Sequence, residues 1–299
     1  MDAPPTTYSE LAPVGLALDY LAADDDFAAF ARRAATEAVR ARVSEALLPA
    51  FTAALWRSLA GGERAALAVV VDDDDAARTL AEAAAAFLPG SPVAYIPSRG
   101  AVYGDGLDPA PHLVGERFRA LATLEQGGLV AVSADALIER LPAPADRPQP
   151  VRLRPDDEVD RDGLLQHLAD SGYERADTVE ERGQFSVRGG LIDVFATTGR
   201  EPVRIELDGD RVERLSAFSV FTQRSLRDLD EVAVFAAAEP GALEAAWGSD
   251  EGAPAIPSGM VAIAPELTRL AVVAAWNPDS IAGELEEAEA EIAERLRDP

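Results

Sequence analysis

The chain has 299 residues, of which 48% are hydrophobic and 27% are charged, a balance typical of a globular protein with two or three domains. Its net charge of −26 disfavours direct binding to nucleic acid, because contacts to phosphates require cationic side chains. It contains no cysteine, which excludes disulfides, a thiol nucleophile and thiolate metal sites.

All 27 basic residues are arginines, and the chain has no lysine. A phosphate-binding P-loop of the usual kind and a Schiff-base mechanism both need a lysine, so this chain can support neither. The N-terminal segment is acidic and lacks the apolar stretch of a secretory signal. No apolar run approaches the roughly 20 residues that span a membrane. We therefore expect a cytoplasmic protein with no membrane partner.

The first half of the chain is predicted to alternate between helices and buried parallel strands. Residues 1–30 are expected to be a loose start, and apolar residues then recur at helical spacing over 27–59, up to Gly61-Gly62. Apolar runs predict strands at 66–71, 93–96 and 129–133. Helices are predicted at 76–87, 113–124 and 134–140. This alternation predicts an α/β domain over residues 1–148.

The pattern changes in the second half. The proline-rich segment 141–150 is predicted to be a domain boundary, and residues 149–238 to be a β-rich domain with a helix at 160–171. Its strands are predicted at 151–153, 173–179, 184–188, 191–195, 203–207, 211–218 and 232–235. Asp208-Gly209 predicts a hairpin, and Gly189-Gly190 a tight turn or a glycine bulge. Residues 239–299 are predicted to complete the first domain with a strand at 270–275 and an acidic helix at 280–297.

The usual signatures of catalysis and metal binding are weak. The two histidines, His112 and His167, fall in different predicted domains, and neither has a neighbour at metal-ligand spacing. The acidic run 72–75 could hold Mg²⁺, but the stronger interpretation is that it caps the following helix. Nothing resembles the GxSxG motif of serine hydrolases. We therefore predict no catalytic residue, no cofactor and no metal site.

The arginines of the β-rich domain suggest an interaction surface. Arg175, Arg182 and Arg188 lie within fourteen residues on or between predicted strands, with Phe185 among them. Arginine binds carboxylates through a planar fork of donors, and arginines with aromatic residues are common in interface hot spots. Pairing with local acids such as Glu180 and Glu181 explains the same pattern equally well. The residues alone leave these two interpretations open.

Three segments of the β-rich domain resemble, in order and spacing, UvrB and the transcription-repair coupling factors (Mfd): ERGQFSVRGGLIDVF at 181–195, EPVRIELDGDRVERLSAF at 201–218 and TQRS at 222–225. Two upstream segments resemble the first domain of the coupling factors: LVGERFRAL at 113–121 and VAVSADALIERL at 130–141. UvrB carries a functional P-loop, whereas this chain has a predicted helical stretch at 41–55 in its place. The resemblance is therefore to the N-terminal UvrB-like module of the coupling factors.

This resemblance implies a helicase-like α/β domain with a degenerate P-loop and an inserted β-rich α+β domain. It implies that the β-rich domain binds UvrA, the damage-recognition ATPase of nucleotide excision repair. Arg175 and Arg188 match arginines that serve this interface in UvrB, and Arg182 and Phe185 lie in the same stretch. UvrB has an arginine where this chain has Ser186, so the affinity for UvrA is expected to be lower or the contact shifted. At 196–199 this chain has ATTG where a proline is usual, which affects only the local turn.

The resemblance also says what the chain is expected to lack. The full-length family protein is an ATP-dependent DNA translocase that displaces stalled RNA polymerase, and it reaches RNA polymerase and DNA through C-terminal domains beyond this chain. The chain is therefore expected to be a fragment or a naturally short or split homologue, and a non-catalytic adaptor for UvrA. Two alternatives stay open: a DNA-binding repair protein that uses the arginines on phosphates, and an autoinhibitory module whose arginines another domain of the parent holds.

Overall fold

The structure, a computed structural model, describes residues 13–60, 66–100, 108–239, 260–283 and 285–286. The chain divides into two compact units. The first comprises Met1–Pro97, Ala120–Ile138 and Ala262–Glu289, and the second comprises Ser98–Arg119, Glu139–Val261 and Ala290–Pro299. Each unit has its own hydrophobic core. Within the described ranges, no helix is both long and apolar enough to cross a membrane.

A parallel sheet of four short strands forms the centre of the first unit. Its strands are β1 (Leu67–Val71), β2 (Val93–Ile96), β3 (Leu129–Ser133) and β14 (Val272–Ala275). They lie in the order β14-β1-β3-β2. Every residue of β1 and β3 is buried, which is why both strands are continuous apolar runs in the sequence. The predicted α/β character of this region is confirmed.

The helices of the first unit supply the rest of its core. Their bounds are α1 (Pro13–Ala23), α2 (Asp25–Ala34), α3 (Leu48–Leu59), α4 (Asp74–Phe87), α6 (Ala134–Leu137) and α8 (Ile263–Leu270). The predicted acidic cap of α4 is confirmed, because the Asp73 carboxylate accepts a hydrogen bond from the backbone N–H of Ala76 at 2.7 Å. The indole N–H of Trp56 donates to the carbonyl of Gly127 at 2.8 Å and joins α3 to the turn before β3.

Three predictions for the first unit are wrong. Residues 13–30 are mostly helical, in α1 and α2, rather than a loose start. The helical spacing over 27–59 is interrupted between Ala34 and Leu48, so the stretch 41–55 becomes α-helical only from Leu48, after a 3-10 turn at Glu45–Leu47. Pro49 explains this start, because proline fits the first turn of a helix and not its interior. The helix predicted at 134–140 ends at Leu137, and Arg140 begins β4 (Arg140–Pro142).

A six-stranded sheet dominates the second unit. It contains β6 (Glu174–Arg175), β7 (Gln184–Arg188), β8 (Leu191–Val194), β9 (Val203–Asp208), β10 (Arg211–Phe218) and β11 (Ser225–Asp228), in the order β11-β10-β9-β8-β7-β6. All pairs are antiparallel except β6 with β7. Gly189 and Gly209 adopt positive φ angles of 62° and 61° in the two tight turns that the sequence predicts.

One face of this sheet carries the core of the second unit. Phe185, Ile192 and Ile205 project from it and lie in one buried cluster with Leu164 and Leu168. The two leucines belong to α7 (Arg161–Asp170). Strands β5 (Val151–Leu153) and β12 (Val232–Val234) pair with each other and add to the same cluster. The phenol of Tyr173 is buried here and donates to the carbonyl of Phe235 at 2.8 Å, and burial raises its pKa to about 12.

The remaining differences lie at exposed or short elements. The strand predicted at 173–179 pairs only over Glu174–Arg175, and residues 176–183 form a loop that leads to β7. Strand β11 is not predicted, because all four of its residues are exposed and no alternation is visible. The remaining helix and strand are α5 (Pro111–Glu125) and β13 (Met260–Ala262). Residues 278–283 are helical as part of the predicted acidic helix, which otherwise lies largely outside the described residues, as do Gly61-Gly62.

Four charged side chains of the second unit form a buried ion-pair network. The carboxylate of Glu239 lies 3.0 Å from Arg99 Nε and 3.3 Å from Arg117 Nε, and Arg117 also contacts Glu139 at 2.6 Å. Arg117 is fully buried. Burial raises the pKa of Glu139, because desolvation outweighs the attraction of Arg117. The network joins the end of the β-rich region to α5 and to the segment before β4.

Glu239→Ala should lower the free energy of unfolding by about 3–5 kcal/mol, because two buried guanidinium groups would lose a shared carboxylate. Urea denaturation measures this loss. Glu201→Ala is the matched control: it removes an exposed pair with Arg227 at 2.7 Å, which should cost less than about 1 kcal/mol. Equal, small losses for both variants would contradict a structural role for the network.

Candidate functional site

The predicted site residues lie at one edge of the six-stranded sheet. Arg175 is on β6, Arg188 is at the end of β7, and Arg182 belongs to the loop between these strands. All three arginines are exposed. Phe185 lies within β7, directly opposite Arg175 in the strand register. The structure therefore brings the four predicted residues into one region.

Arg182 is held against its own domain by uncharged groups. Its Nε–H donates to the carbonyl of Gly199 at 2.8 Å, and its guanidinium carbon lies 5.5 Å from the centre of the Phe195 ring. It also lies near the start of α5: burial lowers the pKa of His112, and the positive charge of Arg182 lowers it further. Burial raises the pKa of the Glu116 carboxyl more than the charge of Arg182 lowers it. The terminal N–H groups of Arg182 form no hydrogen bond with any described residue.

Arg188 fixes the loop 176–183 on the sheet. Its Nη2 donates to the carbonyl of Asp177 at 2.8 Å and lies 3.3 Å from the hydroxyl of Thr178. Arg175 differs, because its side chain is exposed and makes no hydrogen bond or ion pair with any described residue. All three arginines are thus exposed, but only the side chains of Arg182 and Arg188 are held by hydrogen bonds.

Phe185 does not face a partner. Only 3% of its surface is exposed, because its side chain points into the core of the second unit together with Ile192 and Val194. The prediction that Phe185 contacts a partner directly therefore needs correction. Its side chain packs in the core beneath β7 and stabilises that strand. Arg182 does not continue the strand, because Gly183, with φ +86°, turns the chain before β7 begins.

Ion pairing separates the candidate arginines from others in the same domain. Within 151–239, seven of the twelve arginines pair with a carboxylate of the domain: Arg152, Arg154, Arg161, Arg204, Arg211, Arg214 and Arg227. The other five form no ion pair with any described residue: Arg175, Arg182, Arg188, Arg200 and Arg224. The three predicted arginines are therefore not neutralised by Glu180 or Glu181, which was the competing explanation of the cluster.

The face of the sheet opposite the core is polar but largely buried. Ser186, Asp193, Arg204 and Ser216 lie side by side on four neighbouring strands. The Asp193 carboxylate accepts two hydrogen bonds from Arg204, at 2.7 and 2.8 Å, and these bonds raise the pKa of Arg204. Ser186, at the position where the resemblance implies an arginine in UvrB, is only 2% exposed and lies beside Asp193. It therefore belongs to this buried row and not to the exposed surface.

Two loops cover this polar face. A small apolar cluster of Val179, Phe195 and Phe218, with Val220 against it, joins the loop 176–183 to the loop after β10. Arg204 lies over the Phe218 ring, with its guanidinium carbon 4.8 Å from the ring centre. Both loops thus lie on the same side of the sheet as Arg188.

The comparisons with known proteins follow the same part of the chain. Residues 151–239 match the family model described as the UvrB interaction domain. The chain is also 35% identical over 150 residues to the transcription-repair-coupling factor of Mycobacterium bovis, a match that covers 47% of this chain and 12% of that protein. The β-rich part of this chain is therefore similar to the UvrB interaction domain, and the chain shares sequence similarity with transcription-repair-coupling factors. The resemblance found in the sequence is confirmed.

A second group of relatives gives the same picture. The transcription-repair-coupling factor of Staphylococcus aureus strain MSSA476 is 38% identical over 133 residues, which is 44% of this chain and 11% of that protein. The matched part of this chain therefore spans only about an eighth of the length of these curated relatives.

Three further residues of this domain have features that the sequence does not reveal. Arg200 and Arg224 share the lack of an ion pair with the predicted arginines, and Phe221 is 98% exposed in the loop after β10. No periodicity marks them, because none lies inside a strand. Whether an arginine has a carboxylate within ion-pairing distance depends on the folded structure and is not visible in the sequence. No group of metal-binding side chains occurs among the described residues.

Asp193→Asn tests whether the buried row stabilises the UvrB-like domain. The change keeps the side-chain volume but weakens two charge-assisted hydrogen bonds to Arg204, and should cost about 1.5–3 kcal/mol in the free energy of unfolding. Asp156→Asn is the control, because Asp156 pairs with Arg211 at 2.6 Å on the exposed surface. Urea denaturation should show a change below about 1 kcal/mol for the control. A loss no larger for Asp193→Asn than for the control would refute the assignment.

Proposed function

We propose that this chain is a non-catalytic adaptor module of a transcription-repair coupling factor and that its UvrB-like domain recruits UvrA in the cytoplasm. The observation that carries the proposal is the set of exposed arginines that form no ion pair with any described carboxylate, Arg175, Arg182 and Arg188 among them. The chain has 53 acidic residues against 27 arginines, so a shortage of acids does not explain these unpaired guanidinium groups.

The chemistry of these arginines fits a protein partner. Arg182 and Arg188 are ordered by hydrogen bonds to the carbonyls of Gly199 and Asp177, which hold the side chains without neutralising their charge. An ordered guanidinium loses less conformational entropy on binding than a free one, and its remaining donors can form a fork with a carboxylate. We therefore expect carboxylates of UvrA to meet Arg182 and Arg188, with Arg175 as a more mobile contact.

The first unit supports the non-catalytic part of the proposal. A 3-10 turn at Glu45–Leu47 and the start of α3 at Leu48 stand where a glycine-rich phosphate loop would be expected from the resemblance. Leu47, Leu48 and Pro49 offer neither glycine flexibility nor a cationic side chain for phosphates. We propose that this unit is a scaffold descended from an ATPase with a degenerate P-loop.

Binding to UvrA is the central test. Titration of UvrA with the whole chain should give a measurable dissociation constant, and Arg188→Ala should raise it about tenfold or more, since truncated interface arginines are common hot spots. Arg182→Ala should act in the same direction, and Arg175→Ala should have a smaller effect.

Arg211→Ala is the matched control for these variants. Arg211 is an exposed arginine of the same domain, but it pairs with Asp156 and lies outside the candidate surface. Its loss should leave UvrA affinity unchanged. Absence of binding by the unmodified chain, or unchanged binding by both Arg182→Ala and Arg188→Ala, would contradict the adaptor proposal. Tight DNA binding that weakens steeply with salt would instead favour the phosphate-binding alternative.

The same proposal predicts that the purified chain does not turn over ATP. A phosphate-release assay should give the buffer rate with and without DNA, because no lysine is available to contact the β- and γ-phosphates. A hydrolysis rate above the buffer rate that a substitution within 41–55 abolishes would overturn this assignment.

A further inference from the structure

The loop between β10 and β11 presents a phenylalanine to solvent. Phe221 is 98% exposed, the largest exposed fraction among the exposed large hydrophobic residues of the described chain. Burying an aromatic side chain on binding is strongly favourable, so an exposed phenylalanine that is held in a fixed position can contribute to a contact with a partner. The surrounding residues show that this exposure is built into the loop.

The backbone around Phe221 is fixed by hydrogen bonds. The N–H of Ser219 donates to the carbonyl of Arg224 at 3.0 Å, and the N–H of Gln223 donates to the carbonyl of Ser219 at 2.8 Å. The side chain of Gln223 donates back to the carbonyl of Val220 at 2.7 Å. Gln223 itself adopts a φ of +57°. These hydrogen bonds all lie within the loop and fix its backbone, so Phe221 projects from an ordered turn.

The loop is also tied to the candidate surface. Arg204 donates from Nη1 to the carbonyl of Gln223 at 3.3 Å, while its other donors bind Asp193 in the buried row. Val220, next to Phe221, packs in the apolar cluster with Val179, which belongs to the loop that Arg188 holds. Phe221 therefore lies on the same side of the sheet as Arg188.

The composition of this side is that of an interface. Leu191, 38% exposed, stands directly opposite Arg188 on the neighbouring strand, and Arg224, which has no ion pair among the described residues, closes the Phe221 loop. Aromatic residues and arginines are enriched at the centres of protein interfaces, where apolar burial and guanidinium forks act together.

We infer that Phe221 is the apolar anchor of the partner-binding surface. It enters an apolar pocket of the partner, and carboxylates at the rim of that pocket meet Arg224. The partner is the UvrA that the proposed function assigns, so the inference rests on that function and adds a second, uncharged contact to it. Arg204 acts as a positioning residue, because it holds the loop without facing the partner.

The test compares UvrA binding by the whole chain and by four variants. Phe221→Ala should raise the dissociation constant about tenfold or more, and Phe221→Leu should recover part of the loss because it keeps apolar surface. Tyr20→Ala is the matched control, an aromatic residue that is 80% exposed in the first unit, and it should bind like the unmodified chain. The thermal midpoint of Phe221→Ala should not fall, because the side chain makes no core contact.

Salt separates this anchor from the arginines. The loss caused by Phe221→Ala should be the same at about 0.1 M and about 0.5 M salt, whereas the loss caused by Arg224→Ala, the fourth variant, should shrink at the higher concentration, because salt screens charges and not apolar contacts. If Phe221→Ala binds UvrA like the unmodified chain while Arg188→Ala binds it more weakly, the proposed role of Phe221 is wrong and the adaptor proposal stands. If the unmodified chain does not bind UvrA, both the anchor and the adaptor proposal fail. A Phe221-dependent dimer in sedimentation, without a change in UvrA affinity, would also overturn the inference in favour of a second copy.

Discussion

The face of the six-stranded sheet opposite its core is polar and still buried, and most features of the candidate surface depend on this constraint. A buried carboxylate such as Asp193 is tolerated only with a partner of opposite charge and full hydrogen bonding. Arg204 supplies both, and its guanidinium lies over the Phe218 ring. Two loops must then close over the row, and those loops carry Arg182 and Phe221. The position of the exposed residues on these loops thus follows from the burial of the Asp193–Arg204 ion pair beneath them.

The distribution of ion pairs gives this domain its chemical character. Seven arginines are neutralised within it, yet others stand beside acids such as Glu180 and Glu181 without pairing to them. Hydrogen bonds to the carbonyls of Gly199 and Asp177 direct Arg182 and Arg188 away from these acids. Local geometry, more than total charge, therefore decides which cations are available, and a chain of net charge −26 can still offer a basic surface.

Patterned, half-buried or buried segments could be predicted from the sequence, and exposed ones could not. Strand β10 and the turn at Gly209 follow clear alternation and turn chemistry, and both were found where expected. Strand β11 has no buried residue, so it left no pattern. Phe185 was assigned to the surface because it stands among arginines, although alternation along β7 places it in the core. The interruption before α3 was not predicted. Pro49 lies in the first turn of α3, where proline is tolerated, and it marks the start of that helix.

The buried network around Glu239 bears on how this protein can be dissected. The residues that match the UvrB interaction domain end at Glu239, but its carboxylate is bound by Arg99 and Arg117, which lie upstream of that segment. A fragment trimmed to the matched boundaries would keep the acid and discard both cations. The smallest piece that preserves these charges must include the stretch from Arg99 through α5 and Glu139. The segment that matches the family model is therefore shorter than the fragment that would keep this buried network complete.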